Sequence, residues 1–393
     1  MEKINRRIAL QRTFQSTAML GLGALWQSSN ARVASGFTDC FEPSVEDSTA
    51  WFDVSGWEVE GRCWADTAKP FDRFPKKSEA ILRKAVWSLS RHSAGMVARF
   101  STASPVVKVR YQLSSSKLAL NHMPATGVSG VDLYAEADDG EMRWVNVSRP
   151  TQTMVEATLA NGIDALPEAA PRQFALYLPL YNGVEKLEIG IRKGSELKPI
   201  AARKKPIVFY GTSIMHGACA SRPGMSISSI LGRRMNCAVV NLGFSGNGKM
   251  ELPVADLMGE LDPSVIAIDC LPNMNSKLVH ERAVPFVQRL RTYHPKSPIL
   301  LVEDRAMTNS KFYRGARDFH KGNRASLKAA YDILLDAGDN NIHYLSGKDL
   351  LGSDGEGATD GSHPSDLGMV RYADAYEPVL RSLLADKGKL KTQ

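Results

Sequence analysis

The sequence predicts an all-β sandwich followed by an α/β half built on a parallel sheet, and three features predict it. Up to about residue 194, short runs alternate apolar and polar residues, with turn residues between them. After a basic, proline-punctuated connector the pattern changes to short, continuously apolar strands separated by helical stretches. The candidate catalytic residues then all fall just after one of those apolar strands or before the last helical stretch. A chain of 393 residues is long enough for two such domains.

The first residues have the layout of an export signal, assigned to 1–34. Arg6-Arg7 open a basic segment, Met19-Leu20-Gly21-Leu22-Gly23-Ala24-Leu25-Trp26 form a short apolar core, and Ser29-Asn30-Ala31 and Val33-Ala34-Ser35 offer small residues for cleavage. The paired arginines fit a twin-arginine signal loosely, because the usual aromatic after them is missing. An amphipathic helix is the alternative. The apolar stretch is too short to span a bilayer and no later one replaces it, so the expectation is a periplasmic or secreted protein without a membrane span.

The sandwich is assigned to 40–195. Val107–Leu113 alternates with period two, and Val131–Tyr134, Trp144–Val147, Phe174–Leu178 and Leu187–Ile191 read as further strands. Turn residues such as Ala137-Asp138-Asp139-Gly140 and Tyr181-Asn182-Gly183 separate them. Many short strands without long helices suggest a jelly-roll-like sandwich. Trp51, Trp57, Trp64 and Trp87 either pack its core or stack on sugars. Cys40 and Cys63 are near enough in sequence to pair if the protein is exported; Cys237 and Cys270 sit in apolar strands as inert thiols.

The connector spans Lys193-Gly194-Ser195 to Lys204-Lys205-Pro206, and the α/β half is assigned to 204–387. Its predicted strands are Ile207–Tyr210, Ala238–Asn241, Val265–Cys270, Ile299–Glu303 and Ile342–Leu345. The helices are expected at Ser226–Met235, Leu252–Glu260, Leu278–Tyr293, Asn323–Ala337 and Leu367–Leu384. Strands without alternation, joined by helical crossovers, imply a parallel sheet covered on both faces. Ligand sites in such sheets form beyond the carboxyl ends of the strands.

Four segments there carry chemistry. Ser213 follows the first apolar strand within three residues, after Gly211-Thr212; it is either an exposed nucleophile or a helix-capping serine. Asp360 and His363, before the last helix, supply a base and the acceptor that fixes its tautomer. Backbone N–H groups of Ser213 and Gly246, with the side-chain amide of Asn273, can form an oxyanion hole, although Gly246 and Asn273 also suit ordinary turns.

Together these segments resemble the blocks of the SGNH (GDSL-type) hydrolases. Ser213 matches the nucleophile block, Gly246 the glycine block, Asn273 the asparagine block, and Asp360 with His363 the final Asp-x-x-His block. Thr212 stands where many members carry Asp, and Leu271-Pro272 replaces the usual Gly-Gly before the asparagine. Gly130-Val131-Asp132-Leu133-Tyr134 is similar to the motif of a β-domain that precedes one branch of these enzymes. The resemblance implies a flavodoxin-like, five-stranded parallel sheet and a secreted serine esterase. It also implies carbohydrate esters as substrates, acetyl first among the acyl groups, and no metal or organic cofactor.

Glu303, Asp304 and His216 are further candidates for contacting substrate, with capping and packing as their alternatives. The expected partner is a small-molecule or polysaccharide ester. A net charge of +7 without a concentrated basic stripe argues against nucleic acid. No Cys-x-x-Cys or similar spacing suggests a metal site. An O-acyltransferase using the same residues and a catalytically inactive glycan-binding protein are the competing readings; oligomeric state is not legible.

Overall fold

A computed structural model describes residues 42–164, 166 and 170–389. The expected export signal and Cys40, with its pairing to Cys63, lie outside the described residues.

The antiparallel half is two five-stranded sheets. The first runs β1 (Ser44–Glu46), β2 (Thr49–Asp53), β9 (Val184–Arg192), β4 (Val106–Leu113) and β7 (Met154–Asn161). The second runs β10 (Leu197–Pro199), β3 (Val97–Thr102), β8 (Arg172–Tyr177), β5 (Asp132–Glu136) and β6 (Met142–Val147). Along β4 every second residue is buried, as the two-residue period of a half-buried strand dictates. Its Val107, Val109, Tyr111 and Leu113 meet Phe100, Leu133, Phe174 and Leu176 of the other sheet in one core. Phe100 and Phe174 stack there, 5.2 Å between centroids. Two short helices, α1 (Lys84–Ser90) and α2 (Ala125–Val128), lie in the connections.

The second half is a parallel sheet ordered β12 (Val239–Gly243), β11 (Ile207–Gly211), β13 (Val265–Asp269), β14 (Ile299–Val302) and β15 (Ile342–Leu345). This is the flavodoxin-like 2-1-3-4-5 order, whose switch point lies beside its first strand, β11. Successive residues of each strand serve opposite faces. Val208, Tyr210, Leu242, Ile266 and Ile268 pack under α5 (Leu252–Met258), α6 (Ser276–Tyr293) and α7 (Arg314–Asp336). Ile207, Phe209, Val239, Val265 and Ala267 pack under α3 (Ser213–His216), α4 (Ile227–Arg234) and α8 (Asp366–Lys389). Asn275 caps α6 by accepting from the Leu278 N–H at 2.9 Å. Helix α7 begins nine residues before the expected Asn323, because its first turns are polar and mostly exposed and so carry no apolar period.

The two halves share cores. Trp64, Phe74, Leu82, Val86 and Trp87 pack with α5, α6 and one face of the parallel sheet, and Ala94, Met123, Val128 and Leu180 with the other face. Trp51 and Trp57 are also buried, so all four tryptophans are packing residues and none is a sugar platform. Among the described residues, no helix is long and apolar enough to cross a membrane.

Candidate active site

Strand β11 ends at Gly211, and Thr212 caps α3 by accepting from the Ile214 N–H at 3.3 Å. Ser213 is therefore the first helical residue, its N–H without an intrahelical partner, as at every helix start. After one turn, Gly217 ends the helix at a φ of 107°, a left-handed conformation in which a side chain is strained. The Ser213 carbonyl accepts from the N–H groups of Gly217 and Ala218 and from the Tyr181 hydroxyl, so the turn carrying Ser213 is held from several sides.

Asp360 and His363 lie on the connection from β15 to α8, 150 residues from Ser213 in sequence for His363. The Ser213 Oγ and His363 Nε2 are 2.8 Å apart, and His363 Nδ1 is 2.7 Å from Asp360 Oδ2. The other carboxylate oxygen accepts from the N–H groups of Ser362 at 3.0 Å and His363 at 2.8 Å. Burial alone would raise the Asp360 pKa. The hydrogen bonds from His363 and Ser362 outweigh it and hold the carboxyl at about 2. An ionised Asp360 draws the imidazole proton onto Nδ1, which leaves the Nε2 lone pair for the Ser213 hydroxyl. Gly361, at a φ of 84°, supplies the left-handed turn between the two.

Supports reach this loop from elsewhere in the chain. Arg305 donates through Nη2 to the Ser362 hydroxyl and through Nε to the Ser362 carbonyl, while its Nη1 pairs with Asp304. Asp366, in the first turn of α8, accepts from the Ser221 N–H at 2.9 Å and from its hydroxyl at 2.5 Å. The serine and histidine loops are thereby tied together.

Gly246 is exposed at a φ of 69°, and nothing lies within 4 Å of where a Cβ would stand, so its backbone is open to an approaching ligand. Asn273 is half-buried just beyond β13; its Oδ1 accepts from the Gly248 N–H at 3.2 Å. With the oxygen so occupied, its side-chain NH₂ is the group it has to offer.

Three expectations are corrected. His216 is fully buried, its ring stacked on Tyr181 at 4.1 Å between centroids and its Nε2 3.4 Å from Arg73, so it cannot touch substrate. Burial first, then the nearby Arg73 and His92, keep it neutral by lowering its pKa well below the usual value. Asp304 is also fully buried, between Arg305 and His320 Nδ1 at 2.7 Å. Glu303 turns its carboxylate to the Tyr344 hydroxyl and the Gly347 N–H, both at 2.8 Å, and so caps the turn after β15.

Sequence reasoning also missed Arg73, a buried guanidinium without a carboxylate contact, which donates to the carbonyls of Leu89, His92, Asn241 and Gly243. It stacks on Phe244 at 4.9 Å and so braces the chain entering the Gly246 turn from the sandwich side. Nothing local marks such a residue, because its acceptors lie up to 170 positions away. The Gly130–Tyr134 motif, by contrast, was noticed without its reason. Asp132 is buried and accepts from the Arg222 guanidinium at 2.9 Å, the Gly224 N–H at 2.8 Å and the Trp144 indole at 2.8 Å. Arg222 also donates to the Tyr134 hydroxyl, so the motif clamps the segment that follows α3.

Comparison with known proteins places the chain in a family. Residues 204–381 match the GDSL-like Lipase/Acylhydrolase family, and residues 49–197 match the N-terminus of Esterase_SGNH_hydro-type, the GxDLY region. A solved GDSL-like lipase from Bacteroides ovatus ATCC 8483 is similar at 30% identity and a TM-score of 0.81, over 86% of this chain and 98% of its own. The salicylyl-acyltransferase SsfX3 from a tetracycline biosynthetic pathway shares the fold at 18% identity and a TM-score of 0.65, over 87% of this chain and 96% of its own. A family two carbohydrate esterase from Clostridium thermocellum, solved with cellohexaose, does so at 13% and 0.52, over 74% of this chain and 93% of its own. A search of curated proteins found no match.

Proposed function

Since this chain belongs to the GDSL-like lipase/acylhydrolase family, the SGNH hydrolases, we propose that it is a secreted serine esterase that removes small acyl groups, acetyl foremost, from carbohydrates. The observation that carries the reading is the continuous hydrogen-bonded series Ser213 Oγ, His363 Nε2, His363 Nδ1, Asp360 Oδ2. Ser213 Oγ attacks the ester carbonyl while its proton passes to His363 Nε2. Asp360 stabilises the imidazolium and keeps its orientation. The N–H groups of Ser213 and Gly246 and the Asn273 amide hold the tetrahedral oxyanion. Collapse expels the sugar alkoxide, which takes the proton from His363. Water, deprotonated by the same imidazole, then releases the acid and restores Ser213. No step calls on a metal or an organic cofactor.

The sandwich half, taken as 40–195, and the hydrolase half, 204–387, act in this reading as one unit behind an export signal over 1–34. Carbohydrate esters are favoured over lipids because the fold is shared with carbohydrate esterases and the sequence has no long apolar lid segment. The test is product analysis on acetylated oligosaccharides, with and without an unacetylated sugar present. Free acetate at the same yield in both supports hydrolysis. Acetyl groups recovered on the added sugar would mark a transferase, and sugar binding without loss of acetyl groups a glycan-binding protein.

A further inference from the structure

Side chains far apart in sequence meet at His363 in a way the esterase reaction does not use. A ring nitrogen of His122, the Cys219 sulfur and a ring nitrogen of His363 all lie within 4.8 Å of one another. His122 comes from the connection between β4 and α2, and its ring stands edge-on to His363, 5.6 Å between centroids. Cys219 follows α3 in a left-handed conformation, φ 69°, which turns it toward the Asp360 loop. Two imidazoles and a thiol are the donor set that zinc and other thiophilic divalent ions prefer.

The available nitrogens are fixed by what the others do. His363 Nδ1 is committed to Asp360, and His122 Nδ1 faces Asn121 Oδ1 at 2.9 Å. Each ring therefore has Nε2 to offer, and a partner on Nδ1 that orients the ring, as the acceptors behind metal-ligating histidines do. A tetrahedral ion with bonds of about 2.0–2.3 Å spaces its ligands about 3.3–3.8 Å apart, so donors up to 4.8 Å apart need to close by no more than about 1.5 Å. Burial pushes the Cys219 thiol up to about 11 despite a hydrogen bond to Thr359, so the free group is a neutral thiol. Coordination displaces that proton to solvent, as it does for any metal-bound cysteine.

We propose that His122, Cys219 and His363 form a binding site for a thiophilic divalent cation, zinc by its chemistry, and that occupancy reversibly switches the enzyme off. The ion takes the Nε2 lone pair of His363, so Ser213 loses the base that would deprotonate it. Three protein ligands leave a fourth position for water. The inhibitory consequence rests on His363 being the general base; the binding site itself does not.

Two readouts on the full-length protein test it. In the first, p-nitrophenyl acetate hydrolysis is followed against added Zn²⁺ and then excess EDTA, for the wild type, Cys219→Ser and His122→Ala. Neither substituted residue belongs to the esterase machinery, so both variants keep the basal rate. We expect EDTA-reversible inhibition of the wild type and a half-inhibiting Zn²⁺ concentration at least about tenfold higher in each variant, the scale of losing one ligand or its support. In the second, added Co²⁺ gives the thiolate-to-cobalt charge-transfer absorption in the wild type and not in Cys219→Ser, whether or not the protein is an esterase. Equal Zn²⁺ sensitivity in all three proteins, or no such absorption in the wild type, would overturn the proposal. Cobalt absorption without inhibition would overturn the switch and leave only an ion held at Cys219.

Discussion

Asp360 accepts three hydrogen bonds on two oxygens, and that fixes both its charge and the direction of His363. Asp360→Asn keeps the shape but supplies an amide where an acceptor is needed, so kcat for p-nitrophenyl acetate should fall by up to about 10⁴-fold with the fold intact by circular dichroism. In the proposed reaction Asn273 is one of the oxyanion donors, so Asn273→Ala should lower kcat by about 10²–10³-fold with little change in KM. Two carboxyls act oppositely on stability. Asp360, lowered from 3.8 to about 2, contributes stabilisation that is present above pH ~4 and lost on acidification toward pH 2, discounted for its partial exposure. Asp269 is fully buried under a hydrogen bond from Tyr376, and burial raises it from 3.8 to about 7. The folded state then holds more protons than the unfolded one between those values, so stability falls as pH rises through the window. Asp269→Asn should therefore raise Tm by several degrees at pH 8 and change it little near pH 4. Ser213, Asp360 and His363 stand out in the sequence because each sits in a short segment with a recognisable neighbour pattern, and the structure brings the three side chains together. His216 and Asp304 were misread because their burial is decided by Tyr181, Arg73, His320 and Arg305, most of them distant in sequence.

The parallel strands were the most legible elements. Four of them are buried along their whole length, β15 only at Ile342, and the structure places all five within two residues of the expected ends. Other elements were not: β1 is wholly exposed and β10 has three residues, so neither carries a period, α1 has only seven residues, and β2, β3 and β7 did not stand out as strands either. Between elements, the Asp132–Arg222 clamp is the clearest case of a motif whose purpose lies outside itself. Asp132→Ala leaves a mostly buried guanidinium without its carboxylate, and should cost about 3–5 kcal/mol in urea unfolding. The same change loosens the segment after α3, so esterase activity at a temperature well below unfolding should also fall.

Across the whole molecule, the sequence division near residue 200 is a change of secondary structure without a break in packing. Five large side chains of the first half fill the core under α5 and α6, and burying each contributes about 1.5–3 kcal/mol. A chain starting at residue 198 should accordingly be insoluble, or bind hydrophobic dyes without a cooperative thermal transition. In the proposed reaction Ser213 and His363 act together as nucleophile and base. The direct measurement is p-nitrophenyl acetate turnover by the wild type beside Ser213→Ala and His363→Ala, with unfolding midpoints confirming that all three are folded. Losses of at least about 10³-fold in both variants are the predicted result, with the double variant no worse than either single one, as for residues acting as a unit. Equal turnover in all three proteins would contradict it.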